Sequence, residues 1–365
     1  MAVGPRRVVG LTVRFPPRGG GKPAVFAASI GVPATARTPR HDLPRRPFMT
    51  TRPATLHGAL RGRPVLVTGA TGFLGRHLAR RLLRDGAEVH ALTRDAGAPR
   101  PDLPGVTWHQ GDLTDADGVE DLVRRVAPAA VFHLASQVQG RRDSALALPM
   151  LEANTRAAVA VMTAAHALPG CRVVLAGSIE EPRGEDAPVS PYAAAKSAAT
   201  GYARLFHTQW DLPVTVLRIA MVYGPDQPDD HKLVPYVCTC VLDGVAPALS
   251  SGTRPVDWVY VDDVCDALVR AATAEEAPGR VVDIGSGHTA TVAEVATELA
   301  DLAHYRGPLG FGDVSDRRHD AAHVADTGPA AEHLGWAATT PLRDGLARTL
   351  AWHAGRRRTP PALSA

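Results

Sequence analysis

Apolar and polar positions alternate along residues 64–220 with two distinct periods. Short apolar runs rich in β-branched residues predict strands, and the longer segments between them repeat their apolar positions at the helical period. The predicted strands lie near 64–68, 87–92, 105–109, 129–134, 171–176 and 213–218. The predicted helices lie near 73–85, 117–126, 145–168 and 191–209. This alternation is typical of an α/β fold built on a doubly wound parallel sheet.

The regular alternation ends after residue 220, where the segment PDQPDD follows. Beyond it we expect a smaller C-terminal lobe that collects 223–250, the helix after Thr291 and 305–340. The expected parts of the chain are a leader over 1–60, an α/β core over 61–222, and a lobe over 223–358 from which some segments return to the core.

The leader differs sharply in charge from the rest of the chain. Residues 1–63 carry eleven arginines and Lys22 against the single acid Asp42, so their net charge is +11 while the remainder carries −8. Richness in Pro, Gly and Arg without helical or strand periodicity predicts disorder. Such a composition fits a targeting peptide or a nucleic-acid-binding tail. We favour a third interpretation, a true start at Met49, and expect no nucleic-acid binding.

Composition limits the remaining possibilities. The chain has 365 residues, and its 45% apolar content is ample for a core. The four cysteines show no paired metal-binding spacing, so we expect inert thiols in a reducing cytoplasm and no metal site. No apolar run reaches the roughly 18–20 residues that a membrane span needs. We therefore expect a cytoplasmic protein with no membrane association.

The first candidate site is the segment PVLVTGATGFLG at 64–75. A short apolar strand is followed by Gly69, Gly72 and Gly75, and then by a helical pattern. A strand, a glycine turn and a helix N-terminus form the pyrophosphate cradle of dinucleotide-binding Rossmann folds. Gly69 permits the tight turn, Gly72 lets the backbone approach phosphate, and Gly75 lets helix and strand pack closely.

The second candidate site is the segment SPYAAAK at 190–196, in which Tyr192 and Lys196 are one helical turn apart and share a helix face. Lys196 is one of only three lysines among 40 basic residues, which indicates a position that needs a compact amine rather than a guanidinium. An ammonium beside a phenol is expected to lower the phenol's pKa, because it favours the phenolate. Tyr192 could then serve as an acid or base.

Taken together, these motifs resemble the extended short-chain dehydrogenases/reductases, also called the NAD-dependent epimerase/dehydratase family. The resemblance covers about 64–355, and TGATGFLG fits that family's TGxxGxxG. Further motifs follow in the family's order: GDLTD at 111–115, VFHLAS at 131–136, LAGSIEE at 175–181, LRIAMVYGP at 217–225, VDWVYVDDV at 256–264 and LGW at 334–336. The resemblance implies a Rossmann core and a smaller C-terminal lobe, with substrate bound between them.

The resemblance also implies roles for individual residues. Ser178 occupies the catalytic Ser/Thr position, where it would polarise a substrate carbonyl beside Tyr192 and Lys196, and Asn154 matches the helix asparagine that organises the site. Tyr192 would exchange a proton with the substrate oxygen, and Lys196 would hold the nicotinamide ribose. The implied cofactor-binding residues, besides Tyr192 and Lys196, are Gly69, Thr71, Gly72, Phe73, Leu74, Gly75, Arg94, Asp112, Leu113, Leu134, Ala135 and Ser136.

Cofactor choice depends on the end of the second predicted core strand. An acidic side chain there would bind the ribose 2′-hydroxyl of NAD and repel a 2′-phosphate. This chain has Arg94 at that point, which could pair with the 2′-phosphate of NADP. Asp95 follows one position later and keeps NAD open. We favour NADP.

The reaction type is read from the residues after Ser178. Family dehydratases usually carry an Asp-Glu pair there, and this chain has Ile179 and Glu180, so we do not expect dehydration. The stretch GSIEEP resembles the GSSEEYG of nucleotide-sugar 4-ketoreductases, although Pro182 replaces the tyrosine. We favour NADPH-dependent reduction of a 4-keto-deoxysugar nucleotide. An NAD-dependent sugar 4-epimerase, a reductase of a non-sugar ketone and a non-catalytic NADP-binding sensor remain alternatives.

The substrate-binding residues are the least determined. Nucleotide-sugar enzymes of the family usually place an arginine before the aspartate of their RDF motif, but this chain has Val256 there and its nearest arginine at Arg254. Arg317 resembles the arginine of a second family motif, and Lys232 and Glu180 are further candidates. Solvated surface charge is the alternative for Arg317 and Lys232. A homodimer is expected from the family's habit alone.

Overall fold

The computed structural model describes residues 9–14, 25–30, 58–95, 102–316 and 322–358. The chain divides into two compact units, Met1–Arg52 and Pro53–Ala365. In the first unit, β1 (Val9–Arg14) pairs antiparallel with β2 (Val25–Ile30). The sequence analysis expected disorder over 1–60, and the structure describes these two strands and residues 58–60 of that segment. Met49 lies outside the described residues.

The second unit holds the remaining strands. They are β3 (Pro64–Thr68), β4 (Glu88–Thr93), β5 (Thr107–Gln110), β6 (Ala130–His133), β7 (Arg172–Ser178), β8 (Val214–Ile219), β9 (Met221–Tyr223), β10 (Ala248–Leu249), β11 (Pro255–Tyr260), β12 (Val281–Ile284), β13 (Thr289–Thr291) and β14 (Gly310–Phe311). Seven of them form one parallel sheet in the order β12-β8-β7-β6-β3-β4-β5. The order reverses at β3 and β6, as in a doubly wound Rossmann fold, so the predicted fold class is confirmed.

The helices of this unit are α1 (Phe73–Arg84), α2 (Ala116–Val126), α3 (Ala147–Met150), α4 (Ala157–His166), α5 (Pro191–Trp210), α6 (Leu233–Asp243), α7 (Val261–Thr273), α8 (Val292–Leu302), α9 (Gly328–Leu334) and α10 (Leu342–Arg358). The prediction of one helix over 145–168 is wrong in part. A 3₁₀ turn precedes α3, and a π-helical turn (Leu151–Arg156) separates α3 from α4. Pro149 lacks the N–H that a continuous α-helix would use at that point.

Both faces of the main sheet are covered by helices. On β3, the buried Val65 and Val67 pack with α1, α7 and α9 on one face, and the intervening Leu66 packs with α2, α4 and α5 on the other. Burial on both faces explains why the strands are nearly continuous apolar runs. The seventh strand, β12, was not predicted from the sequence.

A third apolar cluster lies among α6, α8, α10, β9 and β11, and it includes Tyr223, Trp258 and Leu346. The sequence analysis grouped 305–340 with this lobe. Within that range, Leu334 and Trp336 instead pack in the core cluster of the main sheet, because α9 lies against α7 and β12. The Trp336 Nε1 donates to the Asp263 carbonyl at 2.9 Å, and this hydrogen bond holds the segment after α9 against α7.

In the part of the chain that the structure describes, no helix combines the length and apolar character that crossing a membrane requires.

Candidate active site

The glycine turn between β3 and α1 forms a cradle at the point where the sheet order reverses. Gly69 adopts φ +73°, and a Cβ there would lie 2.7 Å from the Ala135 backbone nitrogen. A Cβ on Gly75 would lie 2.1 Å from the Gly69 carbonyl oxygen. Gly72 begins α1 without a side-chain cap, so the first N–H groups of the helix stay available to an anion. These features fit the pyrophosphate of a dinucleotide.

A cavity of about 830 Å³ opens beside this cradle. Nine of the predicted cofactor residues line it: Gly69, Thr71, Gly72, Arg94, Asp112, Leu113, Leu134, Ala135 and Ser136. Phe73 and Leu74 are not among the lining residues, since both pack on the third apolar cluster, and Gly75 lies buried under the turn. Sequence analysis did not find Gln137, Pro149 and Glu152, which also line the cavity.

Asp112, one of the implied cofactor-binding residues, lies after β5 on the cavity wall. Its Oδ1 accepts hydrogen bonds from the Thr114 backbone N–H at 2.8 Å and from the Thr114 hydroxyl at 2.9 Å. These bonds, with a smaller contribution from Arg94, hold the pKa of the Asp112 carboxyl below its usual value. Asp112 is therefore an ionised acceptor at neutral pH.

The end of β4 places Arg94 and Asp95 together on the same cavity wall. The Arg94 carbonyl accepts from Gln110 Nε2 at 3.3 Å, and the Asp95 backbone N–H donates to Thr93 Oγ1 at 3.3 Å. These contacts fix the backbone at the position where a ribose would be read. The cavity wall therefore offers the Arg94 guanidinium, which could pair with a 2′-phosphate, and the Asp95 carboxylate, which could accept from a 2′-hydroxyl.

The catalytic pair lies in the first turns of α5. Ser190 caps this helix by accepting from the Ala193 N–H at 3.1 Å, and Pro191 follows at the first helical position. Tyr192 and Lys196 are both buried, with the Lys196 Nζ 5.8 Å from the centre of the Tyr192 ring. The Nζ donates to the Ala176 carbonyl at 2.7 Å, which ties α5 to β7.

Ser178 and Asn154 complete the predicted catalytic set. Ser178 ends β7, and its Oγ accepts from the Glu180 N–H at 3.2 Å, which leaves the hydroxyl proton free for an oxygen of substrate or of Tyr192. Asn154 lies in the π-helical turn, and its Oδ1 accepts from the Ser136 hydroxyl at 2.6 Å. Its Nδ2 donates to the Gln137 carbonyl at 3.2 Å. Asn154 therefore fixes the loop after β6; π-helical turns are frequent at functional sites.

The expected lowering of the Tyr192 pKa is wrong. Burial raises the pKa of the phenol, with Glu180 and Glu181 acting in the same direction, and the hydrogen bonds from Ser178 and Ser136 only partly oppose it. Burial also lowers the pKa of Lys196 to about 8. Desolvation favours the neutral form of both groups. Tyr192 is therefore held as a neutral phenol, suited to donating a proton.

The four candidate substrate residues are spread over the chain. Glu180 lies beside Ser178 and acts electrostatically on Tyr192. Lys232 begins α6, and Arg254 directly precedes β11, so both belong to elements of the third apolar cluster. Arg317 lies outside the described residues.

One buried charged residue was missed by the sequence analysis. Glu181 is 3% exposed; its Oε1 accepts from the Ser178 N–H at 2.7 Å, and its Oε2 accepts from the Thr200 hydroxyl at 2.7 Å. In the sequence this residue is the second glutamate of GSIEE, and that position was the signal that could have identified it. Its burial could not be read from neighbouring residues.

Comparison with known proteins agrees with this geometry. The model of the NAD dependent epimerase/dehydratase family matches residues 65–285. A UDP-glucose 4-epimerase of Mycolicibacterium smegmatis is 32% identical over 314 residues, which cover 78% of this chain and 96% of the relative. A dTDP-glucose 4,6-dehydratase of Streptomyces griseus is 33% identical over 315 residues, covering 79% of this chain and 93% of the relative.

Solved structures extend the similarity to three dimensions. The UDP-glucose 4-epimerase of Thermotoga maritima, solved with UDP-glucose, has a TM-score of 0.74 and 25% identity, and the match covers 80% of this chain and 99% of that one. The UDP-glucose 4-epimerase of Thermus thermophilus, solved with NAD, has a TM-score of 0.68 and 29% identity, with the same coverage. The shared architecture therefore includes both the main sheet and most of the lobe.

Proposed function

The chain belongs to the NAD-dependent epimerase/dehydratase family, and from that premise we propose that it is an oxidoreductase acting on nucleotide-activated sugars. In this proposal it reduces the 4-keto group of a nucleotide-activated deoxysugar. The observation that carries the proposal is the buried Tyr192, which is held as a protonated phenol beside Ser178. Reduction of a carbonyl needs a proton for the new alkoxide, and a protonated phenol supplies one.

The side chains divide the work at the carbonyl. Ser178 donates its hydroxyl proton toward the substrate oxygen, while its Oγ accepts from the Glu180 N–H at 3.2 Å. Tyr192 then transfers its proton to the developing alkoxide. Both donors are held before the reaction begins, so little reorganisation is required as charge develops. A nicotinamide dinucleotide, when bound, supplies the hydride chemistry.

Lys196 has two roles in this proposal. It would hold the nicotinamide ribose hydroxyls, and its ammonium would stabilise the tyrosinate left after proton transfer. The glycine cradle and the cavity beside it would hold the rest of the dinucleotide. For the cofactor we favour NADP, with Arg94 on the 2′-phosphate. The NAD bound by the Thermus thermophilus relative supports the alternative, in which Asp95 would hold the ribose.

An NAD-dependent 4-epimerase is the second candidate, and three of the four similar proteins described above are named UDP-glucose 4-epimerases. An epimerase uses the same three residues but returns the hydride to the opposite face of the sugar. Dehydration is not expected, although other relatives are dehydratases, because Ile179 offers no acid where family dehydratases carry aspartate.

The substrate would lie between the end of the main sheet and the C-terminal lobe. Glu180 is proposed to contact the sugar, while Lys232, Arg254 and Arg317 are proposed for the nucleotide phosphates. The UDP-glucose bound by the Thermotoga maritima relative supports a nucleotide sugar as the substrate class.

Four buried, unpaired cysteines are consistent with a reducing cytoplasm.

The deciding experiment incubates the purified full-length chain with NADPH or NADH and a panel of 4-keto-sugar nucleotides, UDP-glucose and plain ketones. We expect net oxidation of NADPH with a 4-keto-sugar nucleotide. Epimerised UDP-glucose without net NAD(P)H consumption would replace the reductase by the epimerase. Turnover of plain ketones alone would contradict a nucleotide-sugar substrate.

A pair of tyrosine variants tests the mechanism. Tyr192→Phe should lower kcat by about 10²–10⁴-fold, the usual contribution of general acid catalysis, without unfolding the chain. Tyr305→Phe is the matched control, since the Tyr305 hydroxyl donates to the nearby Pro308 carbonyl at 3.2 Å and Tyr305 is not one of the proposed site residues. Unchanged turnover in Tyr192→Phe would overturn the assigned proton donor.

A further inference from the structure

We propose that Glu181 is a positioning residue of the active site, whose buried carboxylate fixes the end of β7 at Ser178 and stabilises the charge on Lys196. The proposal deepens the proposed function, because it concerns the residues that would carry out the reduction. It adds a fifth side chain to the set formed by Ser178, Asn154, Tyr192 and Lys196.

The Glu181 carboxylate bridges the two elements that hold the catalytic residues. Its Oε1 accepts from the Ser178 backbone N–H, and its Oε2 accepts from the Thr200 hydroxyl, each at 2.7 Å. Thr200 lies on α5 two turns after Tyr192 and one turn after Lys196, and all three are buried on the same helix face. One carboxylate therefore sets the distance between the catalytic serine and the catalytic helix.

The surrounding backbone leaves room for this side chain. A Cβ on Gly177 would lie 2.6 Å from the Glu181 Oε1 and 3.0 Å from a methyl group of Val216. Only glycine at this position lets the carboxylate reach the Ser178 N–H. The Glu181 N–H also donates to the Ser178 carbonyl at 3.1 Å, so the turn itself is fixed.

Glu181 acts electrostatically on Lys196, and both side chains are buried. Lys196 is 5% exposed, and burial lowers its pKa to about 8, while Glu181 opposes this change. An ammonium that is desolvated in this way needs a nearby anion to stay protonated at neutral pH. Glu181 also raises the pKa of Tyr192, so the same carboxylate favours the ammonium and the neutral phenol.

Other charged groups around α5 cannot replace Glu181. His133 on β6 is buried beside Lys196, and burial followed by Lys196 lowers its pKa to about 3, so it is neutral. Glu152 and Arg156 on the π-helical turn pair with each other at 2.9 Å on the surface. On β8, the Arg218 Nε donates to the buried Asp283 carboxylate of β12 at 2.7 Å.

Among the residues that the structure describes, Glu180 is a further anion near the site; it is partly exposed and acts on Tyr192, but it is not among the groups that shift the pKa of Lys196.

The lysine content of the chain allows a direct test by NMR that needs no substrate. Lys22, Lys196 and Lys232 are its only lysines, so a chain carrying Lys22→Arg and Lys232→Arg gives a single ¹³Cε-lysine signal, that of Lys196. The pH titration of this signal measures the Lys196 pKa. Glu181→Gln keeps the size of the side chain and removes its charge, and Thr200→Val removes one hydrogen bond and keeps the charge.

We expect Glu181→Gln to lower the Lys196 pKa by about one unit, since a neighbouring opposite charge commonly raises it by that amount or more. Thr200→Val and the exposed-loop control Glu185→Gln should leave it at the wild-type value. An unchanged Lys196 pKa in a folded Glu181→Gln chain would overturn the proposal. If that variant does not fold, Glu181→Met, which also removes the charge, serves instead, and a Lys196 pKa equal to wild type overturns the proposal.

The pH profile of kcat distinguishes this proposal from the proposed function. In Glu181→Gln, the part of the kcat profile that depends on the protonation of Lys196 and Tyr192 should move to lower pH by about one pH unit. The reason is that loss of the anion lowers both pKa values. Glu181→Asp should restore part of the shift. A wild-type chain that turns over no keto sugar contradicts the proposed function, while the NMR titration still decides the role of Glu181. A wild-type chain that turns over with a profile unchanged by Glu181→Gln contradicts only the role of Glu181.

Discussion

Desolvation, rather than the attraction between neighbouring side chains, determines the charge state of the catalytic residues. Tyr192 and Lys196 share one buried helix face, and burial moves the pKa of each toward its neutral form. The phenol is therefore protonated at neutral pH, and it can give its proton to a more basic acceptor such as a developing alkoxide. The ammonium is held at a cost to folding, which is common at functional sites.

Replacing Lys196 by methionine should stabilise the chain and abolish turnover. The folded-state pKa of Lys196 is about 8, below its ordinary value of 10.5, so the proton is bound less tightly in the folded chain. Stability linked to this group is fully present above pH 10.5 and is lost as the pH falls through 8. The pKa difference corresponds to about 3 kcal/mol, and loss of the Lys196 Nζ hydrogen bond to the Ala176 carbonyl offsets about 1 kcal/mol of it. At pH 7 we therefore expect Lys196→Met to raise the free energy of unfolding by about 2 kcal/mol.

Urea denaturation at pH 7 and at pH 10 measures this effect. The gain from Lys196→Met should be smaller at pH 10, where the wild-type lysine is mostly neutral. Lys232→Met, at the start of α6, is the control for a less buried lysine. A gain of equal size at both pH values would show that packing rather than charge is responsible.

Among the elements, the β3–α1 unit depends on close backbone contact. Gly75 lies directly against the carbonyl of Gly69, and that glycine in turn lies against the loop after β6. Two neighbouring parallel strands are therefore joined through the same turn that forms the anion cradle. Packing and cofactor binding cannot be separated at this point.

Gly75→Ala should weaken both folding and dinucleotide binding. The new Cβ would lie 2.1 Å from the Gly69 carbonyl oxygen, so α1 must move away from β3. Overpacking of this kind costs about 1–3 kcal/mol. Denaturation and titration with a dinucleotide measure the two effects.

Gly355→Ala in α10 provides the matched control. A Cβ there meets nothing within 4 Å, so alanine should stabilise the helix by about 0.5–1 kcal/mol and leave dinucleotide binding unchanged. Equal behaviour of the two variants would contradict a close-contact role for Gly75.

For the folded unit as a whole, buried histidine makes stability sensitive to acid. His133 is buried on β6 with its Nδ1 2.9 Å from the Thr68 hydroxyl, and its pKa falls from 6.5 to about 3. Its contribution is present above pH 6.5 and is lost as the pH falls toward 3. We expect the free energy of unfolding to drop by up to about 4 kcal/mol across this window.

The comparison between His133→Gln and wild type isolates this contribution. Between pH 6 and pH 4 the variant should lose less stability than wild type in urea denaturation. His288→Gln, which replaces an exposed histidine, should follow wild type. Parallel curves for all three chains would rule out His133 as the acid-sensitive group.

The whole molecule also presents an apolar surface that we propose as a homodimer interface. Leu151, Tyr202 and Leu205 on the π-helical turn and α5 are 44%, 44% and 40% exposed. Leu205→Glu should shift the chain to a smaller species in sedimentation velocity, because a charge would be buried at the contact. Val245→Glu, at an exposed apolar residue after α6, is the control. A wild-type monomer would contradict the proposed interface.

The sequence by itself determined the local features of this protein. The glycine spacing at 69–75 indicated the cradle, because a tight turn and a close helix contact are properties of adjacent residues. The spacing of Tyr192 and Lys196 placed them on one helix face for the same reason. Strand and helix periodicity predicted six of the seven strands of the main sheet, with no end displaced by more than two residues.

Only the tertiary structure decided the electrostatics of the site. Burial by elements that are distant in the sequence raises the Tyr192 pKa. The spacing of Tyr192 and Lys196 in the sequence had predicted the opposite, a pKa lowered by the neighbouring ammonium. Glu181 became visible as a bridge only when Thr200, nineteen residues away, was brought to it by the packing of α5 on β7. Spacing fixes which side chains are neighbours, whereas desolvation depends on everything that excludes water from them.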